Sequence, residues 1–68
     1  MQDYKIIVNG RKQGLRAYNA YAAVRSIMCW YTVGTFFTVL DSKNKANVFQ
    51  KVTTSDPVTG YSDLIQIA

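Results

Sequence analysis

Sixty-eight residues with eight Lys or Arg, four Asp, no Glu and no His carry a formal charge of +4 and an isoelectric point near 9.5. A chain this short forms one domain, residues 1–68, and buries only roughly 60% of its unfolded surface, so its core calls for support. The lone Cys29 excludes an internal disulfide and the absence of histidine excludes the usual zinc sets, leaving close packing or a homodimer as that support.

Tyr4 to Val8, "YKIIV", is short, β-branched and followed by Asn9-Gly10, whose residues both tolerate the positive φ of a tight hairpin turn. A two-residue turn sets Val8 against Arg11, Ile6 against Gln13 and Tyr4 against Leu15. The alternate set, Lys5, Ile7, Lys12, Gly14 and Arg16, then shares the other face, which places three cations together. A bulge at Gly14 would slip the register by one and bring Arg11 to that face instead.

Asn19 is suited to cap a helix starting at Ala20, because its side-chain oxygen can accept from the free N–H groups of the first turn. Ala20, Ala23, Val24, Ile27, Met28 and Tyr31 recur at helical spacing and predict one apolar stripe over about three turns. Arg25 and Ser26 point away from the stripe, Cys29 lies opposite it and Trp30 near its border.

"TVGTFFTVLD" predicts a strand with Val33, Phe37 and Val39 on one face and Phe36, Thr38 and Leu40 on the other. Asp41 to Lys45 supplies a polar turn, and Ala46 to Thr54 the returning strand, with Val48 and Val52 opposed to Phe49 and Lys51. Ser55 to Gly60 is loop chemistry, and "YSDLIQIA" predicts a last short strand. The expected fold is therefore α+β: an antiparallel sheet of four to five strands in the order β-β-α-β-β-β, with one helix packed on one face. The stretch from Arg11 to Ala17 is the one that would leave the count at four if it were an extended loop.

Catalytic chemistry has few carriers here. Asp3, Asp41, Asp56 and Asp63 are scattered and each suits a terminus, a turn or a wet strand face, while a nucleophilic Cys29 would have no base. Nothing forms a phosphate-cradling glycine loop or a carboxylate cluster for a metal, so no enzyme activity and no cofactor are expected. The longest uncharged stretch, the fifteen residues from Ser26 to Leu40, is shorter than the roughly 20 residues that span a bilayer. No membrane partner is expected, and a single thiol without a secretory leader points to the cytoplasm.

The charge points to anionic partners. Lys5, Lys12 and Arg16 on the outer hairpin face, extended by Phe49 and Lys51, would make a basic and aromatic platform suited to DNA or RNA. Phe36 either joins that platform or, with Phe49, fills the core. Arg11 joins it only if the register slips, and Arg25 beside the helix-end aromatics suits a protein contact. The C-terminal "DLIQIA" could serve self-association as an exposed edge.

"YKIIVNGRKQGLRAYNAYAAVRSI", with its hairpin, alanine-rich helix and A-x-x-V-R pattern, resembles the layout of small phage and mobile-element proteins, among them anti-CRISPR inhibitors. The resemblance lies in length, charge and element order and carries no contact residue. It implies a non-catalytic inhibitor whose partner is a host protein or nucleoprotein defence complex, blocked at the surface that holds its nucleic acid.

Overall fold

The computed structural model of the chain describes residues 1–53 and 62–68. The loop expected at Ser55 to Gly60, and the expected strand residues Thr54 and Tyr61, lie outside the described residues. The fold is α+β, with β1 (Gln2–Val8), β2 (Arg11–Ala17), α1 (Ala20–Arg25), a 3₁₀ turn (Met28–Trp30), β3 (Phe36–Leu40), β4 (Ala46–Thr53) and β5 (Ser62–Gln66). The five strands form one antiparallel sheet in the order β2-β1-β3-β4-β5.

Asn9 and Gly10 both hold positive φ, 51° and 78°, which gives the turn the twist of the strands it joins. The hairpin register is the expected one and runs unbroken from Val8↔Arg11 to Gln2↔Ala17. Gly14 therefore sits in regular strand opposite Lys5 and makes no bulge. The segment from Arg11 to Ala17 is a strand, which brings the count to five.

Asn19 caps α1 with its Oδ1, which accepts the Ala22 N–H at 2.8 Å. The helix is shorter than the three turns its stripe predicts. After Arg25 the backbone bonds tighten to i→i−3, with Ile27 N–H reaching the Val24 carbonyl and Tyr31 N–H the Met28 carbonyl. The Ser26 hydroxyl also donates to the Ala23 carbonyl at 2.7 Å, a local bond of the kind that competes with helix continuation. The stripe still faces inward: Ala23, Val24 and Met28 are buried, and Ala20, Ile27 and Tyr31 pack against the same core.

That core lies between the helix and one face of the sheet, where Ile6, Val8, Phe37 and Val39 are fully buried with Val24. Tyr31 meets Phe37 edge to face at 5.4 Å, a favoured aromatic geometry. Val33 does not join β3 as expected. It lies in a turn closed by Thr35 N–H on the Thr32 carbonyl, with Gly34 at φ 98°.

Lys51 is the main departure. Phe37 pairs directly with Phe49, so Phe49 shares the covered face and the two-residue repeat brings Lys51 there too. The residue is 8% exposed, and its Nζ donates to the carbonyls of Met28 at 2.9 Å and Tyr31 at 2.6 Å. It thus satisfies the chain end of the 3₁₀ turn from the sheet beneath.

Replacing Lys51 by Met keeps the apolar stem, takes the ammonium from the Tyr31 carbonyl and leaves the Met28 carbonyl with the Tyr31 N–H alone. We expect a loss of about 1–3 kcal/mol by urea denaturation, against about 1 kcal/mol for Asn19→Ala at the helix cap. An unchanged Lys51→Met midpoint would show that the crossover is held without the ammonium.

Candidate interaction surface

One short helix covers one face of the sheet; among the described residues no element covers the other. The strand registers set out that open face in rows: Lys12, Ile7, Thr38, Val48 in one, Gly14, Lys5, Leu40, Ala46 in the next, and Phe36, Gln50, Ile65 in a third. Ile7, Leu40, Val48 and Val52 are half-buried by their neighbours, while Phe36 is 55% and Ile65 48% exposed. Cations occupy the β1–β2 side of the face, and the β3–β4 centre is mostly apolar.

Lys5, Lys12 and Arg16 come together as expected from the hairpin register. Arg16 Nε lies 3.3 Å from Asp3 Oδ1, an exposed ion pair that offsets its charge and contributes little stability. Among the described residues Lys5 and Lys12 have no carboxylate within ion-pair distance, so theirs is the charge this face offers a partner.

The other expected contact residues lie elsewhere. Arg11 sits on the helix side of the edge strand because the register does not slip. Arg25 is also on the helix side, 3.5 Å from Asp63 and with its guanidinium 5.9 Å from the Tyr21 ring centre. Phe49 and Lys51 are buried, so the expected extension of the basic face onto the second hairpin is corrected. Of the two phenylalanines weighed for core or surface, Phe49 is core and Phe36 is surface. Phe36 was findable by its alternation with Phe37 once Phe37 was assigned inward.

A cleft of about 420 Å³ opens between the base of the first hairpin and the β3–β4 turn, lined by Asp3, Lys5, Gly14, Arg16, Leu40 and Asp41 among others. Gly14 leaves the position across from Lys5 without a side chain. Asp41 shapes the far wall, its Oδ1 accepting the N–H groups of Lys43 at 2.8 Å and Lys45 at 2.9 Å. Two cations and two carboxylates line the cleft, so it carries no net charge to select an anion. Away from the sheet face, Trp30 is 80% exposed, and Tyr18 and Cys29 are exposed as well.

Among the described residues no helix is long and apolar enough to cross a membrane. No family model matches the chain, and no curated protein or solved structure matches it either.

Asp63, expected on a wet strand face, keeps a half-exposed side chain and also ties β5 to the helix. Its Oδ1 accepts the Leu64 N–H at 2.8 Å and the Tyr21 hydroxyl at 2.8 Å. The Leu64 bond first, then the Tyr21 bond, with a lesser effect from Arg25, hold this carboxyl below its ordinary value, while desolvation works the other way. Because the folded value lies below the unfolded one of about 3.9, this stabilisation is present above that pH and is lost as pH falls through the folded value. Asp63→Asn should therefore flatten the decline of the urea midpoint between pH of about 4 and about 2; an equally steep decline would show that Asp63 does not contribute to it.

Proposed function

We propose that the protein is a non-catalytic binding protein that docks its open sheet face onto an apolar, acid-rimmed patch of a partner protein. The observation that carries this reading is the composition of that face: exposed Phe36 and Ile65 and half-buried Ile7, Leu40, Val48 and Val52, bordered by Lys5 and Lys12. Apolar centres with a polar rim are the anatomy of protein interfaces, and rim charges steer the encounter and fix its register. Single-stranded nucleic acid needs rings on which bases stack, and among the described residues this face has one ring, Phe36, amid aliphatic side chains.

An inhibitor of a host nucleoprotein defence complex, acting in the cytoplasm, is the form of this reading that the element layout favours. Charge narrows it. A groove that holds nucleic acid is basic, so a protein of +4 charge is repelled from it and is drawn to acidic surfaces beside it.

The test has two arms. Nuclease-treated capture from host extract should recover a partner with the wild type and with Trp30→Ala, but lose it with Phe36→Asp and weaken it with Lys5→Glu plus Lys12→Glu. In the second arm, anisotropy with labelled single-stranded and duplex nucleic acid should show no binding that depends steeply on salt. Steep salt dependence abolished by the lysine reversals would replace this reading with nucleic-acid binding.

A further inference from the structure

The two edges of the sheet are built differently. β2 carries Arg11, Lys12 and Arg16 along its length, and its residues are mostly exposed. Lysine and arginine on an edge strand are a common guard against pairing with another chain. β5 has no cation; its one charge is Asp63, already engaged by Tyr21 and Arg25. Ile65 is 48% exposed and Ile67, whose N–H bonds the Val48 carbonyl at 2.7 Å, is 50% exposed. Among the described residues no strand pairs with the outer edge of β5.

We infer that the protein forms a two-fold dimer by antiparallel pairing of β5 with β5 of a second copy. Charge selects both the partner and the edge. Two chains of +4 charge repel, and the approach that separates their β1–β2 cations most is edge to edge through β5. The cationic edge lies four strand spacings from β5, about 19 Å, whereas screening at physiological salt acts over about 8 Å. An isologous pair closes on itself, with β5 of each copy meeting the same stretch of the other. The joined sheet has ten strands, guarded β2 edges at both ends, and the Ile65 side chains close to the two-fold. Pairing gives the short chain further apolar burial, the support its small core calls for.

Sedimentation equilibrium of the purified protein, without any partner, tests this between about 1 and 500 µM. The expected result is a monomer–dimer equilibrium that persists at high salt. Ile65→Lys should weaken it by about tenfold or more, since it sets two ammoniums near one another across the seam, while Lys12→Glu on the opposite edge leaves it unchanged. Circular dichroism shows whether Ile65→Lys stays folded, and in the wild type β5 amides should gain hydrogen-exchange protection with concentration. A monomer throughout the range, a mass that grows beyond the dimer, or a dimer lost with Lys12→Glu but kept with Ile65→Lys would each overturn the inference. None of these outcomes bears on partner binding by the open face, which is read separately in the capture experiment.

Discussion

The ammonium of Lys51 sits beneath the crossover between the two hairpins and donates to the carbonyls of Met28 and Tyr31. A six-residue helix is too short to hold itself together, because isolated helices of that length do not form in water. The crossover is therefore held from outside: by Asn19 at its start, by Val24 and Met28 packed into the core, and by Lys51 at its end. Tyr31, fixed by the same bond, stands over Phe37 at the centre of the sheet. A buried ammonium is tolerated here because two backbone carbonyls replace part of its water, and without it the Met28 carbonyl keeps only the Tyr31 N–H.

One short crossover can cover one face of a five-stranded sheet. Among the described residues nothing covers the second face, and its half-buried aliphatic groups shield one another along the rows without being sealed. Charge is distributed unevenly across it. The first hairpin holds Lys5, Lys12 and Arg16, whereas the described part of β5 holds only Asp63, turned to the helix by Tyr21 and Arg25. That asymmetry gives the molecule a cationic edge that resists strand pairing and a neutral edge that permits it, with an apolar centre between them.

Much of the local structure was legible in the sequence because it depends on residues close together. Asn9-Gly10 set the hairpin and its register, and Asn19 with the Ala20 to Tyr31 stripe set the start and inward face of the crossover. Hence the Lys5, Lys12 and Arg16 group was correctly assembled. The length of the helix was not legible: the stripe is satisfied equally by a continuous helix and by a helix running into a 3₁₀ turn, since both keep Met28 and Tyr31 inward. The outer face of β4 was not legible either. Alternation separates Phe49 and Lys51 from Val48 and Val52, but both sets contain apolar residues, so alternation alone cannot say which one meets the helix.

The sequence by itself determined the α+β class, the element order, the first hairpin's register and the helix cap, because turn chemistry, capping and periodicity act within a few residues. Tertiary structure decided that β3 pairs with β1, that Phe37 faces Phe49, and hence that Lys51 is a buried clamp while Phe36 is a surface ring. Those outcomes depend on which strands meet and in what register, and strand pairing between distant segments is set by the burial of the whole core rather than by any residue's own preference.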